Sequence, residues 1–189
     1  MIGVLALQGD FRDHLDSLYR HGVAAKEVRS VTELKQCDAL ILPGGESTTI
    51  AKLLKSSGLD RAIIDFARGQ RKPVWGTCAG AILLANKVIS STPLESGLGL
   101  LNMTVERNAY GRQADSFPSH IKIDGKSTEV FFIRAPKIRS TGKGVQVLAD
   151  LKGEPVMVRS GRVLATTFHS EVFGENRVLE VFLTIKKEG

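Results

Sequence analysis

Cys78 stands in the stretch Gly76-Thr77-Cys78-Ala79-Gly80, framed on both sides by small residues. A sharp strand-to-helix turn of the nucleophile-elbow kind needs that steric room, and it pushes its central side chain out toward a substrate. The N-terminus of the helix that follows favours a thiolate over a thiol. An ordinary thiol of pKa about 8.5 is only a few per cent ionised near neutral pH, so an adjacent imidazole would help further. The other cysteine, Cys37, has no glycine frame and reads as a small buried residue filling space.

His169 is the best partner for Cys78, because Phe168-His169-Ser170-Glu171 follows the last strand-like run of the chain. If that segment is extended, residues i and i+2 project to the same side, which brings Glu171 beside the imidazole. A carboxylate on one ring nitrogen fixes the tautomer and leaves the other nitrogen for the sulfur, the logic of nucleophile, base and orienting group. An H-x-E pair alone is a weak signal and gains weight only beside the elbow. Pro43-Gly44-Gly45-Glu46-Ser47 offers backbone N–H groups next to a helix start, suited to an oxyanion. The spacing of a nucleotide phosphate loop, G-x-x-x-x-G-K-[ST], is absent there.

These segments need a scaffold that brings them to one edge. The apolar run 2–7, broken by Gly9-Asp10, predicts a strand and tight turn before a helix over 11–21, capped by Asp10 and stopped by Gly22. Strands are expected at 23–28, 38–42 and 73–77, with helices over 47–54 (capped by Ser47), 61–68 and 79–87. This alternation implies a mainly parallel sheet covered on both faces, whose sites form outside the carboxyl ends of the strands. Gln8-Gly9, 43–47 and 77–80 all fall at such ends. Beyond Pro93 the texture changes to short strand-like runs at 103–107, 120–123, 130–133, 145–148, 155–158 and 163–168, read as hairpins added to the sheet. An amphipathic helix over 177–187 closes the chain, and the absence of repeats or linkers makes residues 1–189 one expected domain.

Composition limits the alternatives. The chain has 189 residues, 42% hydrophobic and 24% charged, which fits a globular domain and excludes collagenous or disordered classes. Two cysteines cannot build a disulfide framework, and His14, His21, His120 and His169 form no helical metal pair; a cysteine, histidine and glutamate triad needs neither metal nor cofactor, so none is expected. The formal charge of +6 comes from dispersed Lys and Arg without interleaved aromatics, which argues against nucleic acid. The start lacks a signal-peptide pattern and no apolar window is long enough for a membrane helix, so a cytoplasmic location without membrane contact is expected, and the sequon at Asn102 reads as incidental.

GTCAG around Cys78, PGGEST over 43–48 and the His169, Glu171 pair together resemble the class I, triad-type glutamine amidotransferases. IGVLALQGDFRDH at the start, TVERNAYGRQ over 104–113 and FIRAP over 132–136 are similar to the glutaminase subunit of pyridoxal 5′-phosphate synthase, in order along essentially the whole chain. The resemblance implies an α/β, flavodoxin-like three-layer sandwich with added antiparallel hairpins. It also implies hydrolysis of L-glutamine to glutamate, with ammonia delivered to a separate barrel-shaped synthase subunit for vitamin B6 synthesis. Cys78 is then the nucleophile, His169 the base and later acid, and Glu171 its orienter. Backbone N–H groups of Gly45 and Ala79 form the oxyanion hole. Glu46, Ser47, Arg107, Ile133 and Arg134 match positions that hold glutamine, together with Gly45. Without that match, Arg107 and Arg134 would read as surface charges. Gln8-Gly9 and the helix after it match the region that faces the synthase subunit.

One departure is Ser170, where members of this family commonly carry proline between the histidine and the glutamate. Loss of that constraint is expected to loosen the segment without changing either catalytic side chain. Competing readings are a glutaminase feeding a different synthase, a cysteine hydrolase acting on γ-glutamyl substrates or peptides, and a non-catalytic binding or redox-sensing module with one exposed low-pKa thiol.

Overall fold

Side-chain alternation along the first strands divides the interior into two cores. Ile2, Val4, Ala39 and Ile41 point into one, while Leu5, Leu40 and Leu42 point into the other. A computed structural model describes residues 1–90, 97–107, 109, 116–173 and 176–188. In chain order the first half runs β1 (Ile2–Leu5), α1 (Phe11–Arg20), β2 (Ala25–Val28), α2 (Val31–Lys35), β3 (Ala39–Leu42), α3 (Ser47–Ser57) and α4 (Leu59–Ile64). A π-helical turn, Asp65–Gly69, leads to β4 (Val74–Thr77), α5 (Ala79–Leu84) and β5 (Ala85–Ile89). The second half adds β6 (Leu101–Glu106), β7 (Ser116–Ile123), β8 (Lys126–Ile133), β9 (Lys137–Thr141), β10 (Gln146–Leu151), β11 (Glu154–Ser160), β12 (Val163–Thr166) and α6 (Arg177–Lys187).

The main sheet has seven strands in the order β10-β11-β12-β4-β3-β1-β2. From β2 to β12 every pairing is parallel, and at that edge β11 pairs antiparallel with β12 and β10 antiparallel with β11. Residues of α2 to α5 fill the core on one face, and residues of α1, α6 and the β7–β8 ribbon fill the other. This is the layered, mainly parallel α/β architecture that the alternation implied. No described helix is long and apolar enough to cross a membrane.

Several local expectations are corrected. The hairpins do not all extend the main sheet: β7 and β8 form a separate ribbon, and β5, β6 and β9 a second sheet. The helix expected over 79–87 ends at Leu84, because residues from Ala85 onward pair in parallel with β6. That partner lies too far along the chain for local periodicity to reveal it. Asp10 makes no side-chain cap on α1, and its N–H donates instead to the Gly44 carbonyl at 3.2 Å. Ser47 is the first residue inside α3, and the cap is Glu46, whose carboxylate accepts from the N–H groups of Thr48 and Thr49. Helix α2 was not expected, although Ser30 and Glu33 form a capping box at its start, with the Ser30 hydroxyl accepting from the Glu33 N–H.

Candidate active site

Cys78 sits at the carboxyl end of β4, a strand flanked on both sides by parallel neighbours. Its backbone has φ 50° and ψ −104°, a region that L-residues avoid and that strained functional turns retain. The turn is held from both ends. The Cys78 N–H donates to the Thr166 carbonyl on β12 at 2.8 Å. The Gly80 Cα lies so close to β3 that a Cβ there would come within 2.0 Å of the Leu42 carbonyl oxygen. A Cβ on Gly76 would meet the Gly80 carbonyl carbon at 2.5 Å. The small residues around Cys78 thus let α5 start directly against the sheet.

His169 reaches Cys78 because the chain after β12 continues as an extended segment held by β8. The Phe131 N–H donates to the His169 carbonyl at 3.1 Å, and the His169 N–H donates to the Phe131 carbonyl at 2.8 Å. Gly44 leaves room for the ring, since a Cβ there would lie 2.6 Å from His169 Cε1. His169 Nδ1 donates to Glu171 Oε1 at 2.6 Å, with both residues buried. The Ser170 N–H donates to the other carboxylate oxygen, Glu171 Oε2, at 2.9 Å, a bond that proline in that place could not make. The segment therefore gains a backbone tether where proline would have supplied stiffness, which differs from the loosening expected.

Charge favours an ionised pair. Burial works against a charged His169, but hydrogen bonds to Cys78 and Glu171 outweigh it and raise the imidazolium pKa to about 10. Burial would likewise raise the Glu171 pKa, yet His14 and His169 hold it down at about 2. Glu171 is thus a carboxylate, and His169 is protonated with its second nitrogen toward the sulfur. Cys37 is fully buried, donates weakly to the Glu33 carbonyl at 3.4 Å, and has its thiol pKa pushed up by burial.

The remaining residues singled out in the sequence line one cleft of about 310 Å³ with Cys78 and His169: Gly45, Glu46, Ser47, Ala79, Arg107, Ile133 and Arg134. Ala79 occupies the first turn of α5, where no helical carbonyl can accept its N–H. Gly45 has φ 148°, a value suited to glycine, and the next N–H, that of Glu46, donates to Gln8 Oε1 at 2.8 Å. Arg107 crosses from the end of β6 to donate to Thr48 Oγ1 and Glu46 Oε1, both at 3.1 Å. Glu46 keeps its charge: burial opposes it, but hydrogen bonds from Thr48 and Thr49 bring its pKa down to about 2. The His169–β8 pairing carries Ile133 and Arg134 into the cleft, where the Ile133 carbonyl lies 3.8 Å from Cys78 Sγ. In the stretch over 104–113, Asn108 and residues 110–113 lie outside the described residues.

A larger concavity, of about 820 Å³, lies between the end of α1, the β7–β8 ribbon and the start of α6. It contains His21, His120, Ser127 and Thr128, but its hydroxyls lie on the regular strand β8 and none stands at a strained strand-to-helix turn as Cys78 does, which makes the smaller cleft the better candidate. Sequence reasoning missed Asp10, which lines the cleft that holds Cys78, and His14, which is buried against Glu171. His14 carried no signal beyond its position in an otherwise periodic helix, where a buried histidine reads as packing.

The chain is similar to known proteins along nearly its whole length. Residues 4–187 match the SNO glutamine amidotransferase family. A protein of Thermus thermophilus named pyridoxal 5′-phosphate synthase subunit PdxT is 47% identical over 98% of this chain and 97% of its own length. A protein of the same name from Koribacter versatilis is 46% identical over 100% of this chain and 96% of its own. A solved structure described as a glutamine amidotransferase superposes with a TM-score of 0.93 at 46% identity, covering 98% of each chain. With the match extending across both halves of the cleft, the chain belongs to the SNO glutamine amidotransferase family.

Proposed function

We propose that residues 1–189 act as one amidotransferase domain that hydrolyses L-glutamine to L-glutamate and ammonia at Cys78. The observation that carries this reading is the strained Cys78 facing His169, whose other nitrogen is fixed on Glu171 at 2.6 Å. The Cys78 thiolate attacks the side-chain amide carbon, and the N–H groups of Gly45 and Ala79 receive the oxyanion. His169 then gives its proton to the amide nitrogen as the C–N bond breaks, releasing ammonia and leaving a thioester. Water attacks the thioester while His169 takes its proton, and glutamate departs with thiolate and imidazolium restored. Glu171 stays ionised throughout and holds the ring.

The ends of the substrate have matching groups. Arg107 and Arg134 suit the α-carboxylate, while Glu46 suits the α-ammonium. Ser47 and the backbone of Gly45 and Ile133 complete the lining. The ammonia goes to the barrel-shaped partner subunit of a pyridoxal 5′-phosphate synthase in the cytoplasm, consistent with the names of the relatives. Gln8, which accepts from the Glu46 N–H beside the proposed oxyanion hole, belongs to the segment proposed to face the partner.

The test is glutamate release from glutamine by the chain alone and with an equimolar partner subunit, followed by cofactor synthesis. Release is expected to rise sharply with the partner and to vanish in Cys78→Ala and His169→Ala. Synthesis by those variants should return with external ammonium salts. Failure of ammonium to restore it would overturn the ammonia-donor role.

A further inference from the structure

Helix α1 presents a polar stripe at helical spacing, His14, Ser17 and Arg20, and each member holds the segment that carries Glu171. Arg20 Nη2 donates to the Glu171 carbonyl at 3.1 Å, and Ser17 Oγ accepts from Asn176 Nδ2 at 3.1 Å. His14 Nε2 lies 3.5 Å from Glu171 Oε1, the same oxygen that receives the His169 proton. His14 is 1% exposed, its Nε2 makes no hydrogen bond of ordinary length among the described residues, and its ring stands edge-on to Trp75 at 5.3 Å. A buried ring nitrogen facing a carboxylate and little else has one evident use.

We propose that His14 is a positioning residue of the triad, a neutral imidazole whose Nε2 proton points at Glu171 Oε1 and fixes the carboxylate against His169. The inference rests on the amidotransferase reading for its activity readout, though not for its thiol readout. Burial is the main influence on His14 and lowers its pKa, ahead of the opposing pull of Glu171, so the ring acts through its N–H dipole and not through a full charge. The attraction that keeps Glu171 ionised is accordingly dipolar on this side and ionic only toward His169. Among the described residues, the titratable and charged groups around the assembly include Cys78 from the β4–α5 turn, Asp10, Asp13 and Arg20 from α1, and Glu171 with His169 from the segment after β12. Without the His14 proton the carboxylate loses one of its donors, so its orientation against His169 loosens while its basicity grows.

The experiment compares His14→Phe, which keeps a ring against Trp75 and removes the donor, with His14→Gln, which places an amide N–H near the same point. Glutamine hydrolysis is measured in the complex with the synthase partner, and alkylation of Cys78 by iodoacetamide is followed against pH on the chain itself. His14→Phe is expected to lower kcat about tenfold with KM unchanged, as for a group that acts through another. The alkaline transition of alkylation should move up by at least about half a pH unit, because a carboxylate with one donor fewer is more basic and holds the imidazolium proton more strongly. His14→Gln should recover most of both. A wild-type rate and alkylation profile in His14→Phe would overturn the proposal, as would equal losses in both variants that track only their melting temperatures. If the wild type releases no glutamate while the alkylation shift appears as expected, the positioning role stands and the substrate assignment falls.

Discussion

Glu171 shows how the fold holds one buried side chain ionised. Its carboxylate is fully buried, receives hydrogen bonds from His169 and from the Ser170 N–H, and has a pKa of about 2 against 4.5 for an ordinary glutamate. A carboxylate with a lowered folded-state pKa adds stability that is complete above the unfolded value and disappears as pH falls toward the folded one. The wild type should therefore lose an increment of thermal stability between about pH 4.5 and pH 2 that Glu171→Gln does not lose. Melting temperatures of both proteins across that range measure it as a difference, so other acids common to both cancel. Parallel curves would show that Glu171 is not held ionised in the fold. His169 works in the opposite window, its contribution complete below pH 6.5 and lost as pH rises through about 10, so alkaline titration of Cys78 reactivity reads the other half of the pair.

Elements place these groups by close approach, and glycine is where that approach is tightest. Gly80→Ala would set a Cβ 2.0 Å from the Leu42 carbonyl oxygen, which is backbone of β3 and cannot swing aside. Helix α5 would have to lift off the sheet, carrying the elbow with it. The expected cost is at least the 1–3 kcal/mol or so of core overpacking, with Cys78 reactivity falling further than stability does. Thermal unfolding and iodoacetamide labelling measured side by side check this; an unchanged labelling rate would mean that the elbow does not depend on that contact. The same elements show what a sequence reveals. The strands ending at Leu42 and Thr77 and the Gly-framed cysteine are local patterns, and so are apolar runs closed by small residues. The Ser30 to Glu33 capping box was equally local and could have located α2. By contrast, β5 was hidden because its conformation follows from pairing with β6, and Arg107 and Arg134 reach the cleft through pairings between distant segments. Their assignment needed whole motifs, since nothing in the residues themselves distinguishes them from surface arginines. His14 was hidden for the same reason: its role exists only once α1 packs on the segment after β12.

Across the whole molecule, the two cores have unequal relations to the site. The core beneath α1 and α6 contains Trp75, whose ring contacts His14 on one side at 5.3 Å and Phe182 of α6 on the other at 5.6 Å. His14 in turn faces Glu171, so packed rings connect the last helix to the Glu171–His169 pair. The opposite core contains Phe66, just as fully buried, which lies under Lys72 and away from those rings. Phe66→Ala and Phe182→Ala remove the same atoms from equally closed sites, and each is expected to cost about 3–5 kcal/mol, or about 6–20 °C in melting temperature for a chain of this size. Their effects on catalysis should differ. The cavity left by Phe182 lets Trp75 relax and with it the wall against which His14 stands, so Cys78 alkylation and glutamine hydrolysis should fall at temperatures where the variant remains folded. Phe66→Ala at the same margin below its own melting point should retain both. Because packed interiors transmit displacement only through the groups they touch, equal losses in the two variants would mean that stability alone, and not this chain of rings, limits the site.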